Sequence, residues 1–321
     1  IFSEEYTTEH EVKVNGLYPT SSYFYNIGFS DSFFLESDSA FYFQTSPPIG
    51  TKEPLRAWVI GDGGTATANA RRVRDAFLHY ANGSHTDMLL MLGDNAYAQG
   101  RDYEYQVAVF ENMMENILRN TVTWPCPGNH DLKAAHSVDE SGPYYDIFTL
   151  PKNGEAGGLP SGTEAWYSFD YGNAHFISLN SFDVGLEMGD PQLNWLEQDL
   201  MNTNQDWIIA YWHHPPYSKG SPDSDDPGDS GGKLVDMREN AVRVLEEHGV
   251  DLVLTGHSHS YERSFLMRGH YGFSHELNPA AMIRDNGSGK MDVDCAYLKQ
   301  EDTTGAVYVV AGTAGSVGNG T

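Results

Sequence analysis

From Leu55 onward the chain alternates between two hydrophobic rhythms. The apolar runs "LRAWVI", "MLLML", "WIIAYW", "VDLVLT" and "AVYVVA" have the length and the β-branched and aromatic content of buried strands. After the first run, Ala70, Val73 and Phe77 fall on one face of a helix. After the second, Val107, Phe110, Met114 and Ile117 recur at three-and-four spacing and predict another amphipathic helix. "TVTW" leads into Pro125-Cys126-Pro127-Gly128-Asn129-His130-Asp131, and "WYSFD" and "AHFISLN" flank Tyr171-Gly172-Asn173 as a hairpin. Strand and helix in alternation predict an α/β domain with mixed sheets over residues 55–321. Residues 1–46 follow another pattern. There "HEVKVNGLYPTSSYFYNIGF" and "SAFYFQTS" alternate apolar and polar positions, are rich in aromatics and are broken by turn residues, which predicts antiparallel β structure. The proline-bearing residues 47–54 serve as a stiff linker.

Composition narrows the picture. With 321 residues, 40% of them hydrophobic, the chain can bury a sizeable core as one large domain or two unequal ones. No run of about eighteen apolar residues occurs, so membrane insertion is not expected. Against 19 Lys and Arg stand 45 Asp and Glu, a net charge of −26, which repels nucleic acid and anionic membranes. Such acidity is frequent in secreted and in salt-adapted proteins. Cys126 and Cys295 permit one disulfide or two free thiols, and both readings stand. Three glycosylation-type triplets begin at Asn82, Asn286 and Asn319, a number chance accounts for. The chain begins at Ile1, as a processed product would, and "YVVAGTAGSVGNGT" reads as a strand leading to a Gly-rich turn from which more chain is expected.

The chemistry gathers where the runs end. Five of the expected strands run into Asp62, Asp94, Asn129, His213 and the pair His257/His259. In open α/β sheets ligands bind beyond the carboxyl ends of the strands, so adjacent strands would bring these residues together. Carboxylates, an amide oxygen and imidazoles suit iron, manganese or zinc. A lone Gly-Asp after a strand is commonly just a turn. Gly128-Asn129-His130-Asp131 is more specific, and the whole ordered set more so.

That set resembles the purple acid phosphatases, within the calcineurin-like metallophosphoesterases, whose pattern is GDxG, GDxxY, GNH(D/E), VxxH and GHxH. Here it stands as "GDGG", "GDNAY", "GNHD", "AYWH" and "GHSH", with Ala210 the single departure. The resemblance implies a four-layer α/β sandwich with mixed sheets. The N-terminal segment is similar to the closing strands of a fibronectin type III sandwich, so a partial module of that kind is expected in front. By position, one metal takes Asp62, Asp94, Tyr97 and His259, and the other Asp94, Asn129, His213 and His257, with Asp94 shared. The metals implied are Fe³⁺ plus a divalent Fe, Zn or Mn. The Tyr97 phenolate suits the trivalent ion and gives the family its colour. Two carboxylates and a phenolate leave about +2 on such a pair, enough to attract phosphate to an acidic protein.

The implied activity is hydrolysis of a phosphate monoester by two-metal catalysis on a small phosphorylated substrate. A phosphodiesterase on the same scaffold and a non-catalytic binding module are the alternatives. His130 resembles the histidine that contacts phosphate and protonates the leaving group, and Asp131 is expected to fix its tautomer. His213 is expected as the ligand, and His214 to face solvent or substrate or to cap the loop. The other histidines, among them His136, His175 and His270, carry no such context. Resemblance and acidity together suggest a secreted, extracellular or periplasmic location.

Overall fold

The computed structural model describes residues 10–29, 32–33, 39–113, 117–290, 293, 296–299 and 304–316. Near the N-terminus, β1 (Ser22–Phe24) pairs antiparallel with β4 (Tyr42–Gln44), and β2 (Gly28–Phe29) with β3 (Ser32–Phe33). Antiparallel pairing is what the alternation predicts, but these are two separate ribbons of two strands, and a fibronectin type III sandwich is not evident in them. The segment docks on the rest of the chain. Tyr25 Oη donates to Arg119 O at 2.8 Å, Asn120 Nδ2 to Ala40 O at 3.0 Å, and the Arg119 guanidinium lies 5.3 Å from the Phe41 ring centroid.

The first half of the α/β domain is a parallel sheet in the order β5 (Ala57–Ile60), β6 (Met88–Leu92), β7 (Val122–Cys126). "MLLML" is buried at every position because β6 is the central strand, covered on both faces. Pro125 is accommodated because β7 has a hydrogen-bonded neighbour on one side only. Helix α1 (Ala68–Ala81) begins at Thr67, whose hydroxyl accepts from Ala70 N, and ends at Asn82, whose left-handed φ of 48° closes the last turn. Phe77 on α1 stacks 4.2 Å from Trp58 on β5.

The second predicted helix is correct in place and partly in phase. It comprises α2 (Asp102–Tyr105), a π turn over Gln106–Phe110 and α3 (Glu111–Met113). The wide turn takes up an extra residue and rotates the following face by about 100°. Ala108, Val109 and Met113 join the core and Val107 is exposed, while of the predicted face Ile117 is buried, Phe110 packs against the core and Met114 lies outside the described residues.

After α4 (Pro143–Ile147), the second sheet is built from β8 (Tyr167–Tyr171), β9 (Ala174–Ser178), β10 (Trp207–Trp212), β11 (Leu252–Thr255), β12 (Tyr261–Arg263) and, after β13 (Leu266–Met267) and β14 (Ile283–Asp285), β15 (Val307–Ala311). Its order is β12-β15-β11-β10-β9-β8, with the four inner strands parallel and the two edges antiparallel. Side chains alternate along each strand. Phe176, Tyr211 and Leu254 face the first sheet, where Trp124 stacks 4.0 Å from Phe169. Ile177, Ala210, Trp212 and Val253 face the other way, toward α5 (Pro191–Asn202) and the run α6 (Lys233–Asp236), a π turn over Met237–Ala241 and α7 (Val242–Glu247). A short α8 (Pro279–Met282) precedes β14. Helix, sheet, sheet and helix stack as four layers. Both sheets point the carboxyl ends of β5, β6, β7, β10 and β11 at one crevice.

Candidate metal centre

The crevice is built from tight turns. Asp62, Asp94 and His257 all sit just past a strand with left-handed φ values of 60°, 53° and 66°, which turns their side chains back over the strand ends. Glycine precedes each, because neighbouring backbones approach too closely for a side chain. A Cβ on Gly61 would stand 2.9 Å from Ala311 O, one on Gly93, itself at φ +85°, 2.9 Å from Gly128 Cα, and one on Gly256 2.8 Å from Leu92 O.

The seven expected metal ligands fall into two touching groups. In the first, Tyr97 Oη donates to Asp62 Oδ1 at 2.8 Å, and His259 Nε2 lies 3.3 Å from both atoms. In the second, His213 Nε2 stands 3.1 Å from Asn129 Oδ1, 3.1 Å from His257 Nδ1 and 3.4 Å from Asp94 Oδ1. His213 Nδ1 meets Leu92 O at 2.8 Å, which aims Nε2 inward. The metal-capable atoms of Asp62, Asp94 and His213 lie within 4.8 Å of one another. Asp62 and Asp94 are buried, at 0% and 2% exposure, with no Lys or Arg paired to either among the described residues. Buried carboxylates facing imidazole nitrogens, without a basic side chain to compensate them, fit a site for cations.

The electrostatics say the same. Burial alone would raise the Asp94 carboxyl, but the adjacent His213 imidazole outweighs it and holds Asp94 far below the carboxylate range. Burial draws His213 down while Asp94 draws it up more strongly, to about 9. Burial and the nearby His213 push His257 down to about 3. Burial, Asp62 and Asp94 push the Tyr97 phenol far up, so ionising it there requires added positive charge.

Two expectations need correcting. Asp131 does not touch His130. It is fully buried and accepts hydrogen bonds from Gly128 N at 2.8 Å, Asn95 N at 3.1 Å, Asn95 Nδ2 at 3.2 Å and Tyr105 Oη at 2.5 Å. Burial, then Asp94, pushes it up to about 7. It ties the β6 loop to the β7 loop. The partners of His130 Nδ1 are instead Ala98 O at 2.8 Å and Lys133 Nζ at 3.0 Å, while Nε2 faces Asp94 Oδ2 at 3.9 Å. Lys133 is one turn beyond His130, a spacing that could have revealed it. His214 does not face solvent either. It is 1% exposed, its Nδ1 is 2.8 Å from Ser181 Oγ, and its ring lies 4.3 Å from that of His257. Burial, then His257, keeps it neutral. Ser230, from the polar loop, approaches His257 Nε2 at 2.7 Å, and nothing in the sequence marks it. Cys126 is buried, and its suggested partner Cys295 lies outside the described residues.

Comparison with known proteins agrees with this geometry. Residues 55–261 match the family described as calcineurin-like phosphoesterase. Purple acid phosphatase 15 of Arabidopsis thaliana is 26% identical over 85% of this chain and 52% of its own length. Human acid phosphatase type 7 is 29% identical over 71% of this chain and 48% of its own. The chain thus spans about half the length of these curated relatives. Among solved structures, a purple acid phosphatase from yellow lupin seeds superposes with a TM-score of 0.61 at 20% identity, covering 88% of this chain and 48% of that one. The shared fold is the mixed-sheet α/β architecture described above.

Proposed function

Because the chain belongs to the calcineurin-like phosphoesterase family, we propose that it is a binuclear-metal phosphomonoesterase of the purple acid phosphatase type. One observation carries the reading. Tyr97 stands with Asp62 and His259 in one group, and Asn129, His213 and His257 surround Asp94 in the other. Asp62, Tyr97 and His259 would hold Fe³⁺, because a phenolate oxygen favours a trivalent ion. Asn129, His213 and His257 would hold a divalent Fe, Zn or Mn, with Asp94 shared between the two. When bound, such a pair neutralises phosphate charge and lowers the pKa of a bound water. The remaining work falls to the chain. His130, only partly buried at the mouth of the crevice, presents Nε2 toward Asp94 and would protonate the departing alcohol oxygen. Ala98 O and Lys133 Nζ both hold Nδ1, which fixes the ring with Nε2 toward the crevice.

The substrate in this reading is a small phosphorylated molecule outside the cytoplasm. No described helix is long and apolar enough to cross a membrane. The N-terminal residues 1–46 enter the proposal as part of a fibronectin type III-like module. Metal content and hydrolysis of p-nitrophenyl phosphate measured beside bis(p-nitrophenyl) phosphate test it. The expected result is two metals per chain, one of them iron, with the monoester preferred. A preference for the diester refutes the monoesterase assignment. Active protein without iron refutes the assignment of Tyr97 to Fe³⁺.

A further inference from the structure

Lysines in so acidic a chain find carboxylates easily. Asp and Glu number 45 against 19 Lys and Arg, and Lys52, Lys152, Lys219 and Lys299 each stand against a carboxylate oxygen, at 2.8, 2.6, 2.6 and 2.5 Å. Lys133 makes no ion pair among the described residues. It closes the 3₁₀ turn Asp131–Lys133, and three residues per turn put its side chain over that of His130. Its Nζ donates to Ala98 O at 3.1 Å and lies 3.0 Å from His130 Nδ1. Neither partner carries negative charge. An ammonium has three N–H donors, so at least one is left for another acceptor, and Lys133 is exposed enough for that acceptor to come from solution. Among the described residues it is the one Lys or Arg with a nitrogen within hydrogen-bond distance of a side chain of the metal crevice.

Position decides what this cation can meet. His130 turns Nε2 toward Asp94 Oδ2, 3.9 Å away, and Lys133 touches the other ring nitrogen. A whole imidazole therefore separates the ammonium from the edge that faces the metal ligands. A phosphoryl group held at that edge is beyond its hydrogen-bond reach. What comes within reach is the part of a substrate beyond the ester oxygen, as it leaves past His130. A neutral alcohol gains nothing from an ammonium there, whereas a carboxylate gains a charge-assisted hydrogen bond. The net charge of −26 opposes any added negative charge on the substrate, and an unpaired cation at the mouth of the crevice offsets that locally. One free positive charge also matches one carboxylate better than a second phosphate, which brings about two negative charges.

We infer, resting on the phosphomonoesterase reading above, that Lys133 is a specificity residue that recognises a carboxylate on the leaving alcohol, so that the substrates are phosphate esters of small hydroxy acids. The compact ammonium acts as a point charge on a flexible stem and can follow the carboxylate as the alcohol departs.

The test compares kcat/KM of the metal-loaded protein for 3-phosphoglycerate and for glycerol 3-phosphate, which differ by a carboxylate in place of the terminal hydroxymethyl group. The quantity read is the ratio of the two in wild type, Lys133→Met, Lys133→Arg and Lys133→Glu. Any loosening of His130 slows both esters together and leaves the ratio unchanged. The ratio should fall roughly five- to tenfold in Lys133→Met, the scale of one partly exposed charged contact. It should fall further in Lys133→Glu and hold in Lys133→Arg. Titration calorimetry with the non-hydrolysable phosphonate analogues of both esters reads the same preference without turnover. Equal ratios and equal relative affinities in wild type and Lys133→Met would overturn the inference and leave Lys133 as a support for His130. If neither ester is hydrolysed, the phosphomonoesterase reading fails, and the calorimetric preference then decides on Lys133 by itself.

Discussion

Removing the Asp131 carboxylate separates two explanations of this residue. If it oriented His130, Asp131→Ala would act on turnover. The structure ties it instead to Gly128 N, Asn95 N, Asn95 Nδ2 and Tyr105 Oη. Asn95 Nδ2 retains Cys126 O at 3.1 Å, so three donors lose their partner outright. Stranding a buried donor costs about 1–3 kcal/mol, which gives roughly 3–6 kcal/mol once water has entered part of the space. At about 2–4 °C per kcal/mol for chains of this size class, the melting temperature should fall by roughly 10 °C. Asn95 adjoins Asp94, and Gly128 adjoins Asn129, so metal affinity should fall as well. Asp131→Asn keeps one acceptor oxygen and should lose less. Calorimetry of the holoenzyme, metal analysis and the pH profile of kcat/KM read the three effects apart. An unchanged melting temperature together with a displaced pH profile would show that Asp131 acts on His130 after all.

Four shorter predictions accompany it. Asp94→Ala should release both metals and abolish activity, as metal analysis would show, because in the proposed centre the Asp94 carboxylate, 3.4 Å from His213 Nε2 and close to the Tyr97 phenol, is shared by both metals; a variant with both metals bound and more than about a tenth of the rate would contradict the sharing. His130→Ala should keep both metals and slow turnover by about 10²–10⁴, the usual scale for losing a general acid. With Fe³⁺ bound to Tyr97 as proposed, Tyr97→Phe should bleach the visible absorption of the iron-loaded protein, leave its circular dichroism spectrum unchanged and cost less activity than Asp94→Ala. His175 is buried between Asp170 and Asp199, at 2.8 Å from each; burial lowers its pKa, but the carboxylates outweigh that and raise it to about 9. That stabilisation is complete below the unfolded value of about 6.5 and is lost as pH rises through about 9, so chemical denaturation should show a decline on the order of 3 kcal/mol across that window, and a flatter profile in His175→Gln.

How much of this was legible in the sequence depends on the distance over which each signal acts. The strands, the apolar face of α1, and the turns at Gly61-Asp62, Gly93-Asp94, Gly128-Asn129 and Gly256-His257 are local. Each couples an apolar run to a glycine and a polar residue, and a few neighbouring residues decide it. The ligand candidates could therefore be named without coordinates. Their grouping could not be derived locally, because it follows from strand order. The backbone N–H of His257 reaches Asp62 Oδ2, 195 positions away, at 2.7 Å only because both sheets face one crevice. The same holds for what was misjudged. Asn95 reaches Asp131 across 36 positions, and with Gly128, three residues away, it holds the carboxylate off His130 despite their being neighbours in the chain. His214 is buried because Ser181, after β9, lies beside the end of β10. Arg238 and His270 look like ordinary polar residues until a π turn and a packed loop take both out of water. Hydrophobic rhythm and turn chemistry are properties of short windows of sequence. Burial, charge compensation and the identity of a hydrogen-bond partner belong to the packed whole, where a side chain's environment is set by residues far from it in the chain.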